Sequence, residues 1–225
     1  MATNTVNGVL VCSDGTNIPL KAEIAEGGTN TSLTTDTAYS VTAQEIGDYA
    51  QGKTVTSGLV TCDNGVAYAY ILRQGLVAAI IPVGLKGVAF EASQLCAPFT
   101  LQAGDKLIVQ SNTAADREAA LCVYTASGVS RIFVVTPTGA ATNELVDLQT
   151  GNDIGSTLQS QTIVKAFCTS VDTNKIETPG AVVVDALGNV VGSVPMTSPG
   201  LMQPLFNSYR IPVNLNFKAQ FLTNA

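Results

Sequence analysis

The stretch Gly58-Leu-Val-Thr-Cys-Asp-Asn-Gly65, continuing as Val66-Ala-Tyr-Ala-Tyr-Ile-Leu72, decides how this chain is read. Two runs rich in β-branched and aromatic residues flank Asn64-Gly65. Asn-Gly supplies the positive-φ pair that a two-residue hairpin turn requires, so the reading is strand, tight turn, strand. The pattern recurs in both directions. Gly8-Val-Leu-Val-Cys-Ser-Asp-Gly15 leads to a run at 18–24, Leu121-Cys-Val-Tyr-Thr-Ala-Ser-Gly128 leads to one at 130–135, and a run at 181–189 leads to one at 190–194. LVTCDNG and LVCSDGT resemble each other most. The irregular spacing of the four units reads as a common hairpin grammar rather than a true repeat.

Other segments follow the same rules. Lys106 to Gln110 follows a turn at Ala103-Gly104-Asp105, and Asn143 to Leu148 and Ser160 to Thr169 read as strands. From Tyr209 to Leu222 the chain alternates cleanly. Ile211, Val213, Leu215 and Phe217 fall on one face, and Arg210, Asn214, Asn216 and Lys218 on the other. Alternation this long signals a half-buried strand, and Pro212 puts its start at a sheet edge or a bend. Helix is scarce. Thr42-Ala-Gln-Glu45 has the form of a capping box opening a short helix to about Gln51. Segments 114–120 and 157–161 are weaker candidates. The expectation is an all-β protein: an antiparallel β-sandwich, as a single jelly roll, with one to three short helices. Residues 27–35 are the most loop-like. They set off an N-terminal hairpin or arm (1–35) from a sandwich body (36–225) that includes the C-terminal strand 209–222. The Pro-rich stretch 195–204 reads as a long surface connection.

Composition narrows function. Only 12% of the 225 residues are charged, against 46% hydrophobic, and there is no histidine and no tryptophan. Soluble domains carry roughly 25% charged residues. The exterior must therefore be covered by Thr, Ser, Asn, Gln, Gly and Ala, whose short side chains cost little to order against a neighbour. A net charge of −6, with 11 scattered Lys and Arg, argues against nucleic-acid binding. The most apolar stretch, 76–90, is broken by Pro82 and Lys86 and is shorter than the ~20 residues of a membrane span. The opening MATNTVNGVLVCSDG has no basic n-region and no long apolar h-region, so cytoplasmic synthesis and assembly are expected.

The chemistry-bearing residues form no recognisable set. Cys12, Cys62, Cys96, Cys122 and Cys168 are dispersed, odd in number and without a CxxC pair. They read as buried thiols acting as small hydrophobes. Without histidine there is no Ser-His-Asp or Cys-His arrangement and no common zinc set. A Ser-Lys pair stays open, with no Gly-x-Ser-x-Gly elbow to point to one. Carboxylate pairs that would suit a glycosidase are Asp116 with Glu118, Asp147 with Asp153, and Glu23 with Glu26, all at unspecific spacing. Hard oxygen ligands for calcium occur at 172–177 and 147–153, and neither run has EF-hand spacing. Asn30-Thr-Ser32 is a glycosylation sequon. Tyr68 with Tyr70, and Phe217 with Phe221, share strand faces. Such pairs serve glycan-binding surfaces when exposed and a core when buried. No catalytic, metal or cofactor residue is assigned, and the chain is expected not to be an enzyme.

In overall style the chain resembles small jelly-roll capsid (coat) proteins of bacterial or archaeal viruses: Thr/Val/Ala/Gly-rich strands, scarce charge, no histidine and hairpin turns throughout. The resemblance implies a virion subunit, assembled in the host cytoplasm with copies of itself and other virion proteins and without direct nucleic-acid contact. Two alternatives remain open. One is a β-sandwich binding module, such as a virion decoration, fibre or adhesin domain recognising a host or a glycan. The other is a phage tail-tube subunit.

Overall fold

The structure, a computed structural model, describes residues 3–25, 29–30, 34–35, 45–62, 67–81, 90–91, 98–111, 119–135, 142–170, 180–195 and 210–222. The architecture is all-β, and every strand pairing is antiparallel. Strands expected to close one jelly roll are divided between two compact units, Met1–Thr113 and Ala114–Ala225. Each unit gathers its own apolar cluster.

The first unit runs β1 (Thr3–Cys12), β2 (Asn17–Ala25), β3 (Thr29–Asn30), β4 (Thr34–Thr35), α1 (Ile46–Tyr49), β5 (Thr54–Cys62), β6 (Ala67–Arg73), β7 (Leu76–Ile81), β8 (Phe90–Glu91), β9 (Phe99–Thr100) and β10 (Lys106–Ser111). One sheet has the order β4-β2-β1-β5-β8, with β9 also on β5; the other is β3-β10-β6-β7. Alternation on β2 sends Ile18, Leu20, Ala22 and Ile24 inward. They meet Ile71, Ile81, Leu107 and Val109 of the other sheet in one cluster, so this unit is a two-sheet sandwich. The first hairpin is an integral part of it rather than an arm set off at residue 35. Its β1 edge is paired with β5 from Val6↔Cys62 to Cys12↔Val55.

The strands β5 and β6 correct the reading of the 58–72 stretch. Both exist, yet they belong to different sheets and do not pair. Strand β5 is occupied by β1 on one side and by β8 and β9 on the other. Strand β6 lies between β10 and β7. Neither has an edge left for the other. Asn64-Gly65 itself lies outside the described residues.

The second unit runs β11 (Ala119–Thr125), β12 (Ser130–Val135), β13 (Thr142–Asp147), α2 (Ile154–Leu158), β14 (Thr162–Ser170), β15 (Gly180–Val184), β16 (Val190–Pro195), β17 (Ile211–Pro212) and β18 (Lys218–Leu222). All eight strands form one curled path, β16-β15-β18-β13-β12-β11-β14-β17. Strand β13 joins its two parts, pairing β12 at its end and β18 at its start. Leu121, Phe133, Cys168, Val183 and Phe221 meet in the enclosed core.

Three expected hairpins are present: β1–β2, β11–β12 and β15–β16. The continuous strand expected over 209–222 is broken. Asn216 adopts φ 72°, the left-handed region, and the turn around it exposes Leu215 while Ile211, Val213, Ala219 and Phe221 stay buried. Pro212 sits on the edge strand β17, as its missing N–H requires. Helix α1 begins after Glu45, which is its N-cap and makes no side-chain cap; Thr42 lies outside the described residues. In place of a turn at 157–161, α2 starts earlier. Asp153 caps it by accepting from Ser156 N at 2.6 Å. Ala119 and Ala120, expected at the end of a helical turn, are the first residues of β11.

Candidate functional site

The most elaborate polar cluster is built around Asp105, which precedes β10. Its side chain is fully buried. Arg73, the last residue of β6, donates from Nε to Oδ1 at 2.8 Å and from Nη2 to Oδ2 at 2.7 Å. Gln102 N donates to Oδ2 at 2.8 Å, and Arg73 Nη2 also donates to Thr100 O at 2.8 Å. The carboxylate raises the Arg73 pKa further above its ordinary value. A bidentate, charge-assisted pair with an extra backbone donor satisfies the buried charge. It ties β6 to β9 and to the turn before β10, and leaves the carboxylate no role as a base.

A second buried carboxylate, Asp147, ends β13. Its Oδ1 accepts from Gln149 N at 3.0 Å, Thr150 N at 2.8 Å and Thr150 Oγ1 at 3.0 Å. Its Oδ2 faces Arg131 Nε across 3.7 Å, and neither atom has a hydrogen-bond partner. This arrangement builds the 147–150 turn. Of the proposed pair Asp147 and Asp153, the first is spent on that turn and the second on capping α2. Glu23 is exposed on β2. Its partner Glu26, the pair Asp116 and Glu118, and the run 172–177 lie outside the described residues. Among the described residues no three His, Cys, Asp or Glu side chains come together in a metal-binding group.

Three of the five thiols are described. Cys12, Cys122 and Cys168 are free and buried. Burial pushes the Cys168 thiol up to about 12, so it is protonated across the physiological range. Cys62 lies on β5, and Cys96 lies outside the described residues. Of the aromatic pairs, Phe221 is a core residue and Phe217 packs partly against that core. Tyr70 is half-buried, and desolvation raises its phenol pKa; the side chain of Tyr68 is not described. Asn30 pairs with Val109 in β3.

Surface ion pairs among the described residues are few. Lys53 bonds Asp14, and Lys218 Nζ donates to Glu144 Oε2 at 2.7 Å. Such pairs contribute little stability each. Among the described residues, large apolar side chains are exposed in both units: Leu76 at the β6–β7 turn of the first, and in the second Leu187 and Val190 at the β15–β16 turn and Leu215 at the β17–β18 turn. The pairing Val184↔Lys218 brings the latter two turns to the same end of the second unit. No helix among the described residues is long and apolar enough to cross a membrane. Arg73 with Asp105 has no sequence signature, because the two are distant along the chain and each looks like an ordinary strand or turn residue. Comparison with family models, with characterised proteins and with solved structures gives no match to this chain.

Proposed function

We propose that the chain is a viral coat subunit that assembles with copies of itself and with other virion proteins into a shell. The observation that carries the reading is the surface. Only 12% of the chain is charged, and two of its carboxylates, Asp105 and Asp147, are buried beside Arg73 and Arg131 rather than offered to solvent. What remains for solvent is mostly small, uncharged and low in side-chain entropy, which lowers the cost of packing like against like. Antiparallel units with closed cores give such a subunit rigid faces, and weak contacts gain strength when repeated around a closed shell. An acidic chain without basic clusters would leave direct genome contact to another component.

A binding module, such as a virion decoration, fibre or adhesin domain, is the second reading. The apolar turn tips at Leu187, Val190 and Leu215 favour it, because loops on a rigid scaffold commonly carry recognition. Size-exclusion chromatography and negative-stain microscopy of the purified full chain separate the two. The coat reading expects shells or large closed particles. Open tubes or stacked rings would move the assignment to a tail tube. A clean monomer that binds glycans would overturn assembly in favour of the module.

A further inference from the structure

We infer that the chain is an internal duplication: two copies of one β unit, divided at Thr113/Ala114. This goes beyond the coat reading and does not depend on it. The path of the second unit, β16-β15-β18-β13-β12-β11-β14-β17, reappears in the first when β3 and β4 are together set against β13, with β8, which also pairs β5, left without a counterpart among the described residues. It then reads β7-β6-β10-(β3, β4)-β2-β1-β5-β9, with the same chain order and directions. The registers agree as well, with one more residue between Asn30 and Thr35 than between Asn143 and Asp147. Leu20↔Thr35 and Lys21↔Thr34 correspond to Phe133↔Asp147 and Val134↔Val146. Val109↔Asn30 corresponds to Phe221↔Asn143. Thr54↔Thr100 and Val55↔Phe99 correspond to Thr162↔Pro212 and Ile163↔Ile211.

Shared strand order alone is common among β proteins; shared irregularities are not. The β1–β5 ladder shifts register between Val11 and Cys12, and β11–β14 shifts at the corresponding place, between Tyr124 and Thr125. The β6–β7 ladder shifts between Ile71 and Leu72, and β15–β16 between Val183 and Val184. Among the described residues each unit then has one short helix, beginning Ile-Gly after an acidic N-cap, Glu45 or Asp153. Gly47 N donates to Asp105 O at 3.0 Å, and Gly155 N donates to Phe217 O at 3.0 Å. The residue leaving the helix is left-handed in both (Gly52, φ 79°; Ser160, φ 65°), as is the turn residue before the last strand (Gly104, φ 77°; Asn216, φ 72°).

The copies have diverged on their surfaces. Asn7, Val9 and Val11 on β1 are exposed or half-buried, whereas their counterparts on β11, Ala120, Cys122 and Tyr124, are all buried. Few side chains are identical at matched positions, among them Ile46-Gly47 with Ile154-Gly155, Thr54 with Thr162, and Lys106 with Lys218. This explains why the sequence shows hairpins and no period.

The test is an experimental structure of the full chain, with hydrogen exchange on two matched variants. We expect both register shifts and both matched left-handed positions to coincide when one unit is laid on the other. A bulge missing or displaced in either unit overturns the inference. In the intact chain, Gly47→Ala should speed exchange in β5, β9 and β10 by about tenfold or more, and Gly155→Ala should do the same in β14, β17 and β18. Loosening of non-corresponding strands overturns it too. If a variant fails to fold, the structural comparison still decides. The structural comparison is the same for a monomer and for a particle, so failure of the coat reading leaves this result standing.

Discussion

Arg73 holds both carboxylate oxygens of Asp105, at 2.8 and 2.7 Å, where β6 ends beside the start of its neighbour β10. Because Asp105 is fully buried, removing the guanidinium strands a charge away from water. Arg73→Ala should cost about 3–5 kcal/mol, read as a shift of the urea midpoint at constant slope. A loss of less than about 0.5 kcal/mol, the range of an ordinary surface substitution, would refute this role.

Gly58 pairs with Leu10 across β5 and β1. A Cβ there would lie 2.7 Å from Leu10 Cδ2 and 2.8 Å from Val9 O. The side chain could turn aside, but the carbonyl is fixed in the ladder. Gly58→Ala should therefore destabilise by about 1–3 kcal/mol, and paring Leu10 back to Ala should not restore the loss. Recovery in that double variant would show that only side-chain crowding matters.

Ser160 stands in the left-handed region where the first unit has Gly52. Such backbone costs a residue with a Cβ about 1–2 kcal/mol, partly offset by the unfolded-state entropy of glycine. Ser160→Gly should be neutral or raise stability by up to about 1 kcal/mol, roughly 2–4 °C in Tm for a chain of this size. Gly104→Ala, with open space around it, should lower stability by about 1–2 kcal/mol through backbone strain alone. A stabilising Gly104→Ala would contradict the assigned φ.

Cys168 sets a pH dependence. Its thiol goes from 9.0 to about 12 on burial. The folded state therefore holds the proton that the unfolded state releases. The stabilisation is complete below pH 9.0 and declines by about 1.4 kcal/mol per pH unit as pH rises toward 12. Urea unfolding at pH 8 and 10.5 should show this loss in the wild type and less of it in Cys168→Ala. Thiol reagents at pH 8 should label Cys168 only after unfolding; prompt labelling of the native chain would rule the burial out.

Strands and turns were legible wherever the signal is local. Apolar runs next to turn residues located β2 and β10, strand-like patterning located β13 and β14, and Gly15, Gly128 and Gly188 marked three hairpin turns by the positive φ they adopt. Pairing was less legible, because it depends on which other strands claim each edge. Asn64-Gly65 looks like a hairpin turn, yet β5 and β6 have both edges filled from elsewhere. Alternation through 209–222 likewise ignores the left-handed Asn216. Among the candidate residues, the thiols at 12, 122 and 168 were readable as buried from their apolar neighbours. Arg73 with Asp105 was not, since an ion pair closed by tertiary folding leaves no mark at either end.

The ladder from Val6↔Cys62 to Cys12↔Val55 also sets a clock. An isolated hairpin is marginal in water, so β1–β2 must wait on the ribosome until β5 emerges, seconds later at about 5–20 residues per second. Each unit finds all its described partners within its own stretch of chain, so the first can close before the second is made. Two like strand sets in one polypeptide invite exchange, β14 taking the place of β5 beside β1. Sequential synthesis, together with the few side chains shared at matched positions, keeps that wrong partner both late and poorly fitting.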